Sequence, residues 1–318
     1  MMIICFALLR GPCKILSTVM QKVGMITFFD SLDYQEENVD SSNSWGTGSQ
    51  GRYLTQAHTA STQYGTLVTR GAAFAADMLS SVETGENALA NVAAQLSRKM
   101  NKDITAKVVS QLTGLFGTAL SANSLNVSSG TPDASNYLNA QNVTQAKYLL
   151  GENANDVSVL VVHPLVAAQM EASGMLVFQN SGGTVEYASN GVGITNTQIG
   201  YFAGLKVIVD SAVPTVSTGV QGESLGYTCY LGAPGVIRTG AQFPLMIKQN
   251  DDILSLQDVM SVTYNRCDHV LGTSYSGTPH PENSDLANAA NWSLAYGSAQ
   301  SVPLVEMIVS TPYGAVAP

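Results

Sequence analysis

Three glycine and serine residues form the clearest catalytic pattern in the sequence, but their surroundings do not suit the chemistry. Gly222, Ser224 and Gly226 match the GxSxG pattern of a hydrolase nucleophile, yet polar residues precede the serine and a tyrosine-rich run follows it. A nucleophile of this type needs a buried strand before it and a helix after it to hold the strained turn. We therefore expect a loop here, and a serine hydrolase using Ser224 is kept only as the enzyme alternative.

Two further patterns suggest a nucleotide or a metal site and also lack the right context. The glycines within residues 46–51 match the GxGxxG pattern of dinucleotide-binding loops, but polar residues flank them where a strand and a helix are needed. Asp251 and Asp252 could bind a metal with His269, yet adjacent side chains on an extended chain point to opposite faces. His163 has no acid or nucleophile at a readable spacing. We expect no catalytic residue, no metal site and no cofactor.

The cysteines and the composition favour a structural protein in a reducing compartment. The four cysteines include no CxxC pair and no histidine lies at metal-ligand spacing, so free buried thiols are expected. Charged residues make up 12% of the chain, about half the usual share, and protein interfaces are depleted in Lys, Glu and Asp. This deficit favours an obligate assembly. The net charge of −9 argues against a protein whose main task is to bind phosphates.

The element around which the rest of the chain is organised is a predicted helix over residues 84–120. Its apolar residues recur at steps of three and four, which places them on one helical face. They are Leu89, Val92, Leu96, Met100, Ile104, Val108, Leu112, Leu115, Phe116 and Ala119. At 1.5 Å per residue the helix would be about 54 Å long, and Thr84 is its expected N-cap.

Charged residues in the middle of this helix exclude some of the structural roles that its length would allow. Arg98, Lys99, Lys102 and Lys107 exclude a transmembrane segment, and no other run of ~20 apolar residues predicts one. The step of four from Met100 to Phe116 lacks the alternation of a coiled coil. A solenoid would need internal repeats, and the sequence shows none. The lack of repeats also argues against a fibre or adhesin, which the Asn, Ser and Thr content would otherwise suggest. The helix is expected to lie across a domain, with its basic residues either solvated or facing packaged nucleic acid.

Residues 1–24 are predicted to form an arm that lies on another surface. The first nine residues are apolar, but the first positive charge, Arg10, follows them, which is the wrong order for a signal peptide. The segment carries Arg10, Lys14 and Lys22 without an acidic residue. A start at Met25 is the alternative.

Residues 25–70 are expected to form an extended excursion with a flexible tip. Five acidic residues between positions 30 and 40 have no basic neighbour, and a polar run surrounds Trp45. A large ring so far from a local core usually packs on a partner. We therefore predict contacts with neighbouring molecules at Trp45 and Arg52 in this excursion, and at Arg10 and Lys14 in the arm.

The remaining elements predict an α+β fold. Asn142 is expected to cap a short helix ending near Gly151, and a second helix should begin at Pro164 and stop at Gly174. Short apolar or alternating runs between turns predict strands. These are Thr66–Arg70, Val157–Val162, Met175–Phe178, Leu205–Val209, Tyr227–Leu231, Val236–Arg238, Ile253–Tyr264 and Val305–Val309. The strand at Ile253–Tyr264 is expected to lie beside the long helix.

Several segments carry a resemblance to a known family through their order and spacing. They are Arg70–Phe74, the long helix with Lys102-Asp103 and Leu112–Phe116, Val161–Pro164, Gly204–Asp210 ahead of Pro214, Tyr230–Ile237 and Asn291-Trp292. Over roughly residues 60–310 the chain resembles the major capsid proteins of tailed bacteriophages, which share the Hong Kong 97 fold.

The resemblance implies a fold in four parts and a role in assembly without turnover. The parts are an N-terminal arm at 1–24, an extended loop at 25–70, a peripheral domain with the spine helix at 71–150 and 245–275, and an axial domain at 151–244 and 276–318. The same subunit would form the pentamers and hexamers of an icosahedral head. In that head Arg98, Lys99, Lys102 and Lys107 would face the interior and touch double-stranded DNA without reading its sequence.

The resemblance also implies partner proteins, and the sequence differs from part of the family in one respect. Scaffold, portal and cement proteins are expected partners, with assembly in the host cytoplasm, a final location in the virion, and no membrane. Cross-linked members of the family join a lysine of the extended loop to a neighbour's asparagine, but this chain has no lysine between Lys22 and Lys99. We therefore expect no covalent cross-link. An encapsulin-like nanocompartment shell, enclosing an enzyme instead of a genome, is the alternative.

Overall fold

The computed structural model describes residues 9–12, 23–29, 60–77, 83, 88–179, 185–187, 199–217, 225–243, 245–252 and 255–314. Helices and strands are mixed along these ranges, which confirms the predicted α+β fold. The helices are α1 Ala88–Gly117, α2 Ala140–Tyr148, α3 Pro164–Ala172 and α4 Asn283–Ala287, with short 3₁₀ helices at Ser121–Asn123, Gly151–Asp156, Ala289–Asn291 and Ala299–Ser301. The strands are β1 Leu9–Pro12, β2 Val23–Phe29, β3 Ala60–Thr66, β4 Val68–Asp77, β5 Ser124–Asn126, β6 Val159–Val162, β7 Val177–Gln179, β8 Val185–Tyr187, β9 Ile199–Phe202, β10 Leu205–Val209, β11 Thr215–Val216, β12 Gly226–Gly232, β13 Ile237–Gly240, β14 Met246–Asp252, β15 Gln257–Val270, β16 Thr273–Tyr275, β17 Trp292–Leu294 and β18 Leu304–Val309.

The long helix α1 is present, and its apolar stripe is buried as predicted. It has 30 residues and is therefore about 45 Å long. The buried members of the stripe are Leu96, Val108, Leu112, Leu115 and Phe116. The helix ends at Gly117, before the predicted end, because the Leu120 N–H turns back to the Leu115 carbonyl at 2.9 Å. Thr84, the expected cap, lies outside the described residues.

The larger sheet separates two apolar clusters. It has nine strands in the order β5-β18-β12-β6-β10-β9-β7-β8, with β11 beside β12. Every residue of β6 and β12 is buried. Because side chains alternate along a strand, Val159 and Val161 of β6 belong to the cluster that contains α1, whereas Leu160 and Val162 belong to the cluster that contains α2 and α3.

The smaller sheet lies against the N-terminal half of α1. It has five strands in the order β1-β13-β15-β14, and β4 also pairs with β15. Leu96 of α1 packs on Met260 and Val262 of β15, so the predicted contact between the helix and this strand is confirmed. The strand begins at Gln257, later than predicted, and residues 253–254 lie outside the described part of the chain.

The ends of α3 follow from local signals alone. The helix begins at Pro164, as predicted, because proline has the φ angle of a first helical residue and lacks an N–H that would need a partner. Gly174 follows its C-terminus with a φ of +66°, a backbone conformation that favours glycine. Both predicted ends are confirmed.

The predicted cap of α2 was wrong. Asn139 is the N-cap, and its side-chain oxygen accepts the N–H of Asn142 at 2.8 Å. The Asn142 side chain is instead buried, where its amide donates to the carbonyls of Ser135 and Tyr137. Of two asparagines three positions apart, the first therefore caps the helix and the second anchors the preceding loop.

Most predicted strands are confirmed, with ends shifted by two residues or fewer. The exceptions are Thr66–Arg70, where β3 ends at Thr66 and β4 begins at Val68, and Ile253–Tyr264, where β15 runs from Gln257 to Val270. β2 and β3 form an antiparallel hairpin, with Val23 opposite Thr66, at the base of the expected extended loop. The division into peripheral and axial domains stays a prediction. β5, from the expected peripheral part, joins the larger sheet, and β13, from the expected axial part, joins the smaller one.

Candidate assembly surfaces

Among the residues with catalytic patterns, Gly226 and His163 lie in the described part of the chain. Ser224, Gly222 and residues 46–51 lie outside the described part of the chain. His163 is partly buried at the start of α3, where its Nδ1 atom accepts the Leu165 N–H at 3.2 Å. Burial lowers the pKa of His163. An imidazole that caps a helix in this way has a structural role.

The residues with metal-ligand chemistry are far apart. Asp251 of β14 pairs with Asp258 of β15, and His269 lies about 36 Å further along β15 at ~3.3 Å per residue. Within the described ranges no group of three or more His, Cys, Asp or Glu side chains could hold a metal ion. Cys229 and Cys267 are buried and not in a disulfide within the described residues, and burial raises the pKa of the Cys229 thiol.

The basic middle of α1 divides into exposed and buried residues. Lys102 is exposed, and Lys99 forms an exposed ion pair with Asp103 at 3.1 Å. Nothing is described of the Arg98 side chain. Lys107 differs from the expected interior-facing set, because only 5% of its surface is exposed. The exposed basic surface of α1 is therefore smaller than the sequence suggested.

Lys107 takes part in a buried charge cluster that joins α1 to the smaller sheet. Its Nζ atom lies 3.0 Å from Asp268 Oδ2 and donates to the Arg266 carbonyl, also at 3.0 Å. Arg266 Nε and Thr239 Oγ1 donate to Asp268 Oδ1 at 2.7 and 2.8 Å. Burial alone would raise the pKa of Asp268, but Lys107 and Arg266 outweigh it and hold the pKa below its ordinary value. The cluster fixes the position of the helix on β13 and β15.

One face of the smaller sheet is covered by α1, whereas the other is covered only in part, by β3 at Cys267 and His269 of β15. Phe74 of β4 and Met260 of β15 point toward α1, so the residues that alternate with them point away. We call the outward residues of β4 and β14, with Val259, Ser261 and Thr263 of β15, the bare face. Those of β4 are small and exposed: Gly71, Ala73 and Ala75, with Asp77 at the end. A face built from such small side chains lets another backbone approach closely.

The edge of the smaller sheet at β14 is open. Among the described strands, β14 has only β15 as a neighbour, and all seven of its residues are exposed. Leu245, Met246 and Ile247 are 42%, 42% and 53% exposed. An exposed apolar edge strand is a template for pairing with another chain. We call the unpaired side of β14 the open edge.

The residues predicted to contact neighbours are described only in part. Trp45, Arg52 and Lys14 lie outside the described residues. Arg10 lies in β1, which pairs in parallel with β13 of the same chain, with Leu9 opposite Ile237. No helix in the described ranges is both long enough and apolar enough to cross a membrane.

Comparisons with known proteins agree with this architecture. A family model described as "Phage capsid protein" matches residues 60–278. The fold is similar to the capsid asymmetric unit of cyanophage Pam1, with a TM-score of 0.58 and 10% identity over 93% of this chain and 87% of that one. It is also similar to the capsid of a native GTA particle, with a TM-score of 0.56 and 11% identity over 92% and 86% of the two chains. A structure from Microbacterium phage Oxtober96 has a TM-score of 0.52 and 10% identity over 91% and 86%. No curated protein matches the sequence significantly.

Proposed function

The chain belongs to the phage capsid protein family, and we propose that it forms the pentamers and hexamers of the icosahedral head of a tailed DNA phage. It is a major capsid protein, a structural protein of the virion that associates with itself. The proposal includes the types of ring, the contacts between subunits and the partner proteins. We also propose that the protein has no enzymatic turnover.

The bare face beside the open edge is the observation that carries the proposal. A free monomer would leave an exposed edge strand and an uncovered sheet face in water, which favours pairing with other chains. We place the extended loop at 25–70 of a neighbouring subunit on this bare face, with Trp45 and Arg52 in contact. The arm at 1–24, with Arg10 and Lys14, would add a further contact between subunits.

The exposed side of α1 is proposed to face the shell interior. Lys99 and Lys102, with Arg98, would touch packaged double-stranded DNA through phosphates only. Lys107 is left out of this set because Asp268 neutralises it inside the subunit. The net charge of −9 keeps such contacts weak, which suits a genome that must be packaged and released.

Assembly in the host cytoplasm with scaffold, portal and cement proteins completes the proposal. The residues 71–150 with 245–275 and 151–244 with 276–318 would be the peripheral and axial domains. Because a scaffold is proposed, expression of this chain alone should give irregular or no shells. Uniform shells of the correct size from the chain alone would contradict the need for a scaffold.

The test is electron microscopy of particles made by co-expression with the neighbouring phage genes. Wild-type protein should give icosahedral shells with pentamers and hexamers, and particles from infected cells should contain phage DNA. Ala73→Arg puts a long charge on the bare face and should prevent assembly of a folded subunit, whereas Ala168→Arg, an exposed alanine on α3, should be tolerated. Absence of shells from the wild type, or an enclosed enzyme instead of DNA, would overturn the proposal.

A further inference from the structure

The hairpin of β2 and β3 is attached to its own subunit by a polar joint. Gln63 of β3 is 1% exposed, and its Oε1 atom accepts the Gly272 N–H at 3.0 Å. The same oxygen lies 3.3 Å from Nε2 of His269, which is also 1% exposed. A carbonyl oxygen can only accept, so this contact selects the tautomer with a proton on Nε2. The Tyr64 N–H donates to Ser274 Oγ at 3.2 Å.

Close backbone packing, with little apolar burial, completes this joint. A Cβ atom at Gly65 would lie 3.2 Å from both Cys267 Sγ and His269 Cγ, so the backbone of β3 rests directly on these side chains. The described side chains of β3, from Gln63 to Thr66, belong to none of the three apolar clusters. Opening the joint would therefore expose few apolar atoms, and the stability of the joint depends on its hydrogen bonds.

The surroundings of His269 favour its neutral form. Its Nδ1 atom is buried without a hydrogen-bond partner among the described residues. Burial lowers the pKa of His269 to about 4, against a smaller opposing effect of the Thr273 backbone. A second proton would therefore place a charge in a site that cannot solvate it.

Among the described residues, no element packed on His269 supplies a carboxylate that is free to pair with a charged imidazole. Across the sheet, β13 places Arg238 opposite it, which disfavours a second positive charge. On β15 itself, Asp268 points to the other face and is held by Lys107, while Cys267 is a buried thiol. β3 and the strand after the turn contribute neutral groups: Gln63, Tyr64, Thr273 and Ser274.

We propose that Gln63 and His269 form a latch that holds the extended hairpin on its own subunit while the imidazole is neutral and releases it when the imidazole is protonated. The latch itself needs only the single subunit. Its consequence, a change in how the extended loop reaches a neighbour, rests on the proposed capsid function. Acid would then loosen the hairpin before it unfolds the two sheets.

The size of the effect follows from the two protonation states of His269. An exposed imidazole has a pKa near 6.5, and the closed latch has the lower value, so the open form binds more protons between these limits. Acidification therefore favours opening. For values of 6.5 and about 4, the opening equilibrium constant rises about 20-fold between pH 7 and pH 5.

Hydrogen exchange on the unassembled full chain measures this opening. After correction for the intrinsic pH dependence of exchange, the amides of Tyr64 and Gly272, which donate across the joint, should lose about 20-fold protection between pH 7 and pH 5, whereas those of β12 should not change. His269→Gln should remove the pH dependence, and His280→Gln, at an exposed histidine, should keep it. Unchanged protection in the wild type, or a full response in His269→Gln, would overturn the latch.

A second variant keeps the test decisive if His269→Gln fails to fold. Gln63→Glu would place a carboxylate beside the imidazole, which raises the pKa of His269 and stabilises the closed form in acid. The 20-fold loss of protection should shrink to a few-fold, and a loss as large as in the wild type would contradict the mechanism. All of these measurements use dispersed protein, so their failure is distinct from a failure to form shells.

Discussion

Asp268→Asn tests whether the buried charge cluster fixes α1 to the smaller sheet. The substitution keeps the shape of the side chain but removes the charge that Lys107 and Arg266 share. Lys107 would retain its hydrogen bond to the Arg266 carbonyl at 3.0 Å, and its side chain is only 6% exposed. Leaving a buried charge without its counter-ion costs about 3–5 kcal/mol, a large part of a typical folding free energy.

The matched control is Asp258→Asn on the same strand. Asp258 lies opposite Asp251, so loss of its charge relieves a repulsion and should leave the free energy of unfolding almost unchanged. Lys107→Met should cost about 1–2 kcal/mol, because Asp268 keeps Arg266 and Thr239 as partners. The double variant Lys107→Met/Asp268→Asn should be less destabilised than the sum of the single variants by about 2 kcal/mol.

Urea unfolding followed by circular dichroism gives these free energies, and the m-value checks that unfolding stays two-state. A loss below about 1 kcal/mol in Asp268→Asn would refute the reasoning, since it would mean that water already reaches Lys107. Strict additivity of the unfolding free-energy changes of the two single variants would refute it as well, because it would mean that Lys107 and Asp268 do not interact.

Three further outcomes are expected. Gly114→Ala should destabilise the chain by about 2–3 kcal/mol in urea unfolding, because its Cβ would lie 2.7 Å from Trp292 Nε1, whereas Gly297→Ala, with open space around it, should cost under ~0.5 kcal/mol. Ile104→Asp should abolish shell formation in electron micrographs, since Ile104 packs on the main core, whereas the exposed Lys102→Ala should be tolerated. Boiled, reduced particles should run as a monomer band on a denaturing gel, and a ladder of covalent rings would contradict the absence of cross-links.

The features that could be predicted from the sequence are those set by local spacing. Residues at three- and four-residue steps had to share one face of α1, and Leu96, Leu112 and Leu115 are indeed buried there. Pro164 and Gly174 fixed the ends of α3, because their backbone restrictions act wherever the chain is placed. These signals do not depend on distant partners.

The features that were missed depend on partners far away in the chain. Lys107 lies three residues after Ile104 and four before Gln111, so its spacing already placed it on the buried side of α1. Its partner Asp268 lies on β15, and no local sequence pattern predicts that the two residues pair. Likewise, Asn139 and Asn142 are both good caps, and only the loop that Asn142 anchors decides between them.

The bare face was not recognisable in the sequence, because small residues have more than one explanation. Gly71, Ala73 and Ala75 alternate with Ala72, Phe74 and Ala76, so both faces of the strand carry mostly small residues. Only the position of α1 on the other face shows that these small residues are the uncovered ones. The open edge of β14 depends in the same way on which strands are its neighbours.

The two halves of α1 hold their sheets in different ways, and this difference bears on assembly. At Gly114 the helix is in close contact with Trp292 and Leu286, in the large core of the nine-stranded sheet. Its first half meets the smaller sheet through a small cluster whose buried residues are Leu96, Met260 and Val262, and Lys107, further along the helix, adds the charge cluster. A subunit that serves in both pentamers and hexamers must adapt its contacts without unfolding its core. The smaller sheet beyond this cluster, with its polar-jointed hairpin, is therefore where we expect subunits of the two ring types to differ.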